Sequence, residues 1–185
     1  KAPTLTTALE DGYIKSLDET IPTNKGFVPG HPNYPQDDHV VKMDRISYLH
    51  GFEISSNYVF RYIAVMNYED DPKKFLDKLY LYKLGQAFDF DLEGLRQPVI
   101  PSPDSPLWSN TALGSIAMGY TIQVTPLHIL TFYNAIANKG KMMKPYLVED
   151  IEQHGVVKKK LGPSVLNASI CSKATADTML RAMKA

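Results

Sequence analysis

The sequence predicts a mainly α-helical fold with one small β-hairpin. Apolar residues recur at helical spacing in several segments, and most of these segments are bordered by residues that start or stop helices. A strand-like pattern runs over residues 144–160, where His154 and Gly155 suit a tight turn. A chain of 185 residues is long enough for one domain of ordinary size.

The first predicted element is a helix that ends at Gly12. Leu5, Ala8 and Leu9 share its apolar face, and glycine is common just after the end of a helix. Residues 15–42 then contain several prolines and glycines. Because these residues interrupt regular structure, we predict a long irregular loop there.

Two helices follow, and the apolar pattern breaks between them at residues 55–57. Residues 43–54 place Ile46 and Leu49 on one helical stripe. Residues 57–67 repeat apolar side chains four positions apart. The segment Ser-Ser-Asn is therefore predicted to lie where one helix ends and the next begins.

The clearest helix in the sequence has Asp71 as its N-cap and Pro72 at its first position, and Gly85 is its predicted end. This spacing is typical of an amphipathic helix that packs one face on the core. The predicted apolar face consists of Phe75, Leu76, Leu79 and Tyr80.

A second strong helix has Thr125 as its predicted cap and ends at Gly140. A last helix is predicted to begin at Ser172 and to run to Ala185, which has no stop signal before it. The apolar stripe predicted for the second strong helix consists of Leu127, Leu130, Tyr133 and Ala137.

The composition excludes several classes of function. Twenty basic and twenty acidic residues leave no net charge, so neither a nucleic acid nor an anionic membrane is predicted as a partner. The single Cys171 excludes an internal disulfide. The histidines lack metal-ligand spacing, and residues 37–39 (Asp-Asp-His) are interpreted as a solvated loop. No phosphate-binding glycine motif is present, so we predict no metal and no cofactor.

The Ser-Ser-Asn segment has two interpretations. Ser55 and Asn57 can converge only where the backbone leaves helical geometry, and there a hydroxyl can pass a proton while an amide both donates and accepts hydrogen bonds. In the other interpretation, Ser56 or Asn57 simply caps the next helix. The triplet alone leaves both interpretations open.

Three segments together resemble a known family. Residues 1–14 (KAPTLTTALEDGYI), 51–57 (GFEISSN) and 108–148 are similar, in sequence and spacing, to the transpeptidase domain of class B penicillin-binding proteins. Members of that family cross-link peptidoglycan during bacterial division or elongation. Thr121 replaces a usual glycine and His128 a usual glutamine, and neither position carries chemistry in the family.

The resemblance implies the helical portion of the α+β penicillin-binding fold, with the core sheet largely absent. Residues 1–185 are then expected to be a partial transpeptidase domain, truncated at both ends. Lys1 is implied to be the lysine of the Ser-x-x-Lys motif, whose serine would lie three residues earlier. Ser55 and Asn57 are implied to form the Ser-x-Asn motif, and a Lys-Thr/Ser-Gly motif would follow Ala185.

In such a site the serine attacks a D-Ala-D-Ala stem peptide, releases D-Ala and forms an acyl-enzyme that an amine then resolves. A lysine accepts the serine proton only when it is neutral. Ser55 is expected to relay a proton to the departing amine, and Asn57 to bind the substrate peptide. We expect Lys1 of this chain to be solvated and charged, and the chain alone neither to cross-link peptidoglycan nor to react with penicillin.

The resemblance also implies ligands, partners and a location. The ligands are peptidoglycan stem peptides and β-lactams, and the partners are cell-division or elongation proteins. The parent protein is expected on the periplasmic face of the inner membrane with an N-terminal anchor, whereas the fragment is expected to be soluble. Exposed apolar faces favour dimerisation of the fragment. The alternatives are a D,D-carboxypeptidase, the transpeptidase half of a bifunctional synthase, and a non-catalytic homologue acting as a scaffold or sensor.

Overall fold

The computed structural model describes residues 1–90 and 94–185. Within these ranges the fold is mainly helical, as predicted. The α-helices are Ala2–Glu10 (α1), Tyr48–Glu53 (α2), Asn57–Tyr68 (α3), Pro72–Leu81 (α4), Ala112–Met118 (α5), Pro126–Ala137 (α6) and Lys173–Ala182 (α7). The strands are Thr20–Pro22 (β1), Arg45–Ser47 (β2), Met142–Met143 (β3), Asp150–Gln153 (β4), Val156–Lys160 (β5) and Val165–Asn167 (β6).

The strands of the described ranges form three separate two-stranded antiparallel sheets, β1–β2, β3–β6 and β4–β5. The predicted hairpin is β4–β5, and it is confirmed. His154 and Gly155 both have left-handed backbones, with φ of 53° and 72°, as the favoured two-residue hairpin turn requires. The other two sheets join segments that are distant in sequence, and the sequence pattern did not predict them.

Helix α3 lies at the centre of the core and contacts α1, α2, α4 and α5. Val59 and Ile63, and likewise Phe60 and Ala64, are fully buried, as the spacing of apolar residues predicted. A helix that is apolar over most of its circumference is buried by neighbours on several sides. This burial fixes α3, and with it the position of the residues at its N-terminus.

Two elements that precede the Ser-Ser-Asn segment differ from the prediction. Ile46 lies on strand β2 opposite Ile21, not on a helix. Helix α2 begins only at Tyr48, because the Ser47 side chain accepts a hydrogen bond from the His50 N–H and caps the helix there. The predicted loop over residues 15–42 accordingly contains one strand of this small sheet.

Helix α4 begins as predicted but ends earlier. The Asp71 side chain accepts a hydrogen bond from the Lys74 N–H, which confirms the cap. The left-handed residue after the helix is Lys83, with φ of 61°, rather than Gly85. The Leu84 N–H donates to the Leu79 carbonyl, so the helix ends in a Schellman motif whose apolar contact buries Leu84.

The predicted face of α6 is wrong. Leu130 and Tyr133 are 55% and 40% exposed, and Ala137 is also exposed. We call the exposed apolar surface formed by Ile129, Leu130 and Tyr133 the α6 outer face. The apolar pattern did not identify the buried face because this helix carries apolar residues on both sides. Packing against α7 and β3 determines which side is buried. The buried residues are His128, Thr131, Phe132, Ala135 and Ile136.

The C-terminal helix is confirmed at its start. The Ser172 hydroxyl accepts a hydrogen bond from the Thr175 N–H, as an N-cap does. The helix ends at Ala182, short of the predicted Ala185. Across residues 1–90 and 94–185, the helices are too short or too polar for any of them to traverse a lipid bilayer.

Candidate active site

Lys1 and Ser55 form a direct contact, although 54 positions separate them in the sequence. The Lys1 Nζ donates to the Ser55 Oγ at 2.7 Å and to the Ser55 carbonyl oxygen at 2.6 Å. Lys1 precedes α1, and Ser55 lies between α2 and α3, so packing of these helices brings the two groups together. The expectation that Lys1 is solvated holds only in part, because its side chain is partly exposed but is also hydrogen-bonded to Ser55.

The surroundings of Lys1 favour its neutral form more than water does. Burial lowers the pKa of the Lys1 side chain below its ordinary value of 10.5, Asp37 opposes this shift and Arg61 adds to it. Among the described residues, no carboxylate forms an ion pair with Lys1. A lysine with a lowered pKa is better suited to accept a proton than a solvated one.

The backbone of Ser55 has a left-handed conformation, with φ of 56°. Its N–H donates to the Phe52 carbonyl, and the Ser56 N–H donates to the Gly51 carbonyl, which is the Schellman ending of α2. Glycine usually fills this position, and a residue with a side chain is held there at a cost of about 1 kcal/mol. The packing of α2 and α3 on either side offsets this cost. In this conformation the Ser55 hydroxyl faces Lys1.

The middle residue of the triplet caps α3, which confirms the interpretation of the triplet as a helix cap. The Ser56 side chain is fully buried and accepts a hydrogen bond from the Val59 N–H. Because Ser56 supplies the cap, the side chains of Ser55 and Asn57 are not needed for it.

Asp37 lies beneath the same turn. Its side chain is 2% exposed, and one carboxylate oxygen accepts hydrogen bonds from the Ser56 hydroxyl at 2.7 Å and from the Tyr58 N–H at 2.8 Å. The other oxygen accepts from the His39 N–H and contacts the His39 Nδ1 at 2.8 Å. The interpretation of residues 37–39 as a solvated loop is therefore wrong for Asp37.

The hydrogen bonds keep Asp37 ionised. Burial acts to raise the pKa of this carboxyl, but the hydrogen bonds from the Tyr58 N–H, the Ser56 hydroxyl and His39 hold it below its ordinary value of 3.8. The carboxylate thus carries its charge at neutral pH. The sequence showed Asp37, Asp38 and His39 in succession, but it could not show that Asp37 lies under a turn 19 positions away.

Asn57 is the first residue of α3, and its side chain is only partly buried. Within the part of the chain that the structure describes, its carboxamide makes no hydrogen bond. One acceptor and two donor hydrogens are therefore available to a ligand. Asn57 follows Ser55 by two positions across the turn, so the three predicted site residues are gathered around one helix junction.

The helix junction is separate from two cavities of the structure. Cavities of about 400 Å³ and 680 Å³ lie elsewhere, beside Trp108 and beside Gln123 respectively, and Lys1, Ser55 and Asn57 line neither. Residues 1–90 and 94–185 contain no cluster of three His, Cys, Asp or Glu side chains arranged to hold a metal ion.

Comparison with known proteins identifies the family. The sequence pattern of the penicillin binding protein transpeptidase domain matches residues 1–185. Penicillin-binding protein PbpB of Mycolicibacterium smegmatis is 27% identical over 109 residues, which cover 58% of this chain and 16% of PbpB. This chain belongs to the penicillin-binding protein transpeptidase family.

Solved structures show the same fold. Penicillin-binding protein 3 of Mycobacterium tuberculosis, solved in complex with aztreonam, matches 100% of this chain and 39% of its own length, with a TM-score of 0.81 and 22% identity. The D,D-transpeptidase domain of a peptidoglycan glycosyltransferase from Eggerthella lenta matches 98% of this chain and 45% of its own length, with a TM-score of 0.75 and 22% identity. This chain therefore spans less than half the length of these relatives.

Proposed function

We propose that residues 1–185 supply the central part of the active site of a peptidoglycan D,D-transpeptidase. The observation that carries this proposal is the hydrogen bond between the Lys1 Nζ and the Ser55 Oγ at 2.7 Å. This hydrogen bond joins the lysine of one family motif to the serine of another. Proton transfer during acylation requires such a pair of hydrogen-bonded groups, one of which can accept a proton.

We assign the roles from the motifs of the family, and the positions of the side chains support them. Neutral Lys1 accepts the proton of a nucleophilic serine, which the family motif places three residues before it. Ser55, hydrogen-bonded to Lys1, passes a proton to the departing amine. The acyl-enzyme is then resolved by the amine of a neighbouring stem peptide, which forms a new amide bond and regenerates the serine hydroxyl.

Asn57 binds the peptide part of the substrate. Its carboxamide is free of hydrogen bonds to the described residues and can donate to a carbonyl oxygen while it accepts from an N–H. β-Lactams present a comparable amide, and a relative of the same fold has been solved with aztreonam bound. We therefore assign stem peptides and β-lactams as ligands of the complete site.

Location and partners follow from the substrate. Peptidoglycan lies outside the inner membrane, so the site is assigned to the extracytoplasmic face, on a protein anchored to that membrane. Partners are assigned among the proteins of wall synthesis during division or elongation. The support for these assignments is membership of the family.

The test is acylation of the protein as its gene encodes it by a fluorescent penicillin. We expect the wild-type protein to be labelled and Ser55→Ala to be labelled about 10² to 10⁴ times more slowly, the usual range for removing one acid–base group. Ser164→Ala is the matched control, because Ser164 is exposed and lies far from the helix junction in the sequence. Wild-type protein that remains unlabelled would favour the non-catalytic scaffold instead.

A second assay separates transpeptidation from D,D-carboxypeptidation. With a stem peptide ending in D-Ala-D-Ala as donor, release of D-Ala is measured with and without an amine acceptor. A transpeptidase joins donor to acceptor, whereas a carboxypeptidase transfers the acyl group to water at the same rate in both mixtures.

A further inference from the structure

We propose that Asp37 is a positioning residue for acyl transfer, which holds the turn of residues 55–57 in its reactive geometry. This proposal rests on the proposed function. Within the described residues, Asp37 forms no hydrogen bond to Lys1 or to the Ser55 side chain, so its positioning effect runs through the Ser56 hydroxyl and the Tyr58 N–H.

The contacts of Asp37 span the turn. One oxygen of the carboxylate binds the Ser56 hydroxyl, immediately after Ser55, and the Tyr58 N–H, immediately after Asn57. The hydroxyl of Ser56 and the backbone N–H of Tyr58, on either side of Asn57, are thus hydrogen-bonded to a single atom. A shift of either end of the turn must break or lengthen one of these two hydrogen bonds.

Contacts with His39 hold the Asp37 carboxylate in place. Its second oxygen is held by the N–H and the ring of His39, and Asp37 caps the short 3₁₀ turn Asp38–Val40. No lysine or arginine of residues 1–90 and 94–185 forms an ion pair with it. A buried charge without such a partner is tolerated because its hydrogen bonds are charge-assisted, and these are stronger than neutral ones.

The turn needs this support because Ser55 has a left-handed backbone. A non-glycine residue in that region relaxes when its surroundings no longer hold it. Relaxation would move the Ser55 Oγ away from the Lys1 Nζ, to which it is hydrogen-bonded in this structure. Misplacement of a reacting group by 1 Å lowers the rate by about 100-fold, so small movements of this turn have large effects.

The experiment measures acylation by penicillin for the protein as its gene encodes it, under saturating ligand and with active sites counted by titration. We expect Asp37→Ala to lower the acylation rate constant of each competent molecule about 100-fold. Asp37→Asn keeps one acceptor oxygen for Ser56 and Tyr58, so its rate should stay within about fivefold of wild type. Asp38→Ala is the matched control, since Asp38 is adjacent, acidic and exposed.

Counting active sites separates positioning from a merely structural role. If Asp37 only stabilised the fold, Asp37→Ala would reduce the fraction of protein that can be acylated and leave the rate constant of the remainder unchanged. That result would overturn the proposal. A double-variant cycle with Ser55→Ala gives a second readout, because a residue that acts through Ser55 has a much smaller effect once the Ser55 hydroxyl is absent.

Failure of this proposal can be distinguished from failure of the proposed function. Wild-type protein that is not acylated overturns the proposed function, and the positioning role of Asp37 with it. Wild-type protein that is acylated at the same rate as Asp37→Ala overturns only the role of Asp37. Hydrogen exchange of the peptide 55–60 checks the geometry directly, and we expect its amides, including that of Tyr58, to exchange faster in Asp37→Ala than in Asp38→Ala.

Discussion

Ser55 has a left-handed backbone conformation, which serine rarely adopts. The side chains of Ser56 and Asp37 contact this turn and hold it in place. Ser56 caps α3, and Asp37 binds Ser56 from below. Lys1 then meets the Ser55 hydroxyl on the outer side of the turn. Each of these residues makes a different contact at the same helix junction.

At the residue scale, the lowered pKa of Asp37 makes its contribution to stability dependent on pH. A carboxyl whose folded pKa is below its unfolded pKa stabilises the fold above the unfolded value and loses that effect as pH falls through the folded value. We therefore expect Asp37→Asn to unfold at a lower temperature than wild type at pH 7. The difference should shrink below the ordinary carboxyl pKa of 3.8.

Thermal unfolding of both proteins at about pH 7 and about pH 3 measures this difference. Asp38→Asn serves as the control, because Asp38 is an adjacent aspartate that is exposed. An equal gap between wild type and Asp37→Asn at both pH values would contradict the assignment of a charged, stabilising Asp37.

At the element scale, the angle between α2 and α3 depends on a close contact between Gly51 and Val59. A Cβ atom on Gly51 would lie 2.5 Å from a Val59 methyl carbon, which is too close for any side chain. The Gly51 carbonyl also accepts the hydrogen bond from the Ser56 N–H. The absence of a side chain at Gly51 therefore lets the two helices meet at the turn that carries Ser55.

Gly51→Ala should force α2 and α3 apart. We expect a loss of about 1 to 3 kcal/mol in the free energy of unfolding, the usual range for overpacking, together with slower acylation. Adding Val59→Ala removes the clashing methyl groups and should restore part of the acylation rate. Denaturant unfolding and penicillin acylation of the two variants test this, and a double variant no faster than Gly51→Ala would show that the contact does not set the turn.

The features that the sequence predicted are those that depend on neighbours in the chain. The cap at Asp71, the hairpin turn at His154 and the break at Ser55 all follow from residues a few positions apart. The features that failed depend on packing. Only contacts with other elements determine that Leu130 is exposed and that Asp37 is buried under a distant turn. The sequence thus predicted where the helix junction lies, but not the carboxylate that lies beneath it.

At the scale of the whole molecule, the chain corresponds to 39% and 45% of two solved relatives with the same fold. Its helical core is continuous, with α3 enclosed by α1, α2, α4 and α5. The α6 outer face is apolar and exposed in this structure. Dimerisation of the 185-residue chain through exposed apolar surface stays a prediction.

The central claim is that Lys1 and Ser55 act as one proton-transfer unit in the complete protein. The most direct measurement compares penicillin acylation of Lys1→Ala, Ser55→Ala and the double variant. Groups that act together give strongly non-additive effects, so we expect the double variant to react about as fast as the slower single variant. A double variant whose rate falls by the product of the two single reductions would show that the two groups act independently, and would contradict the account.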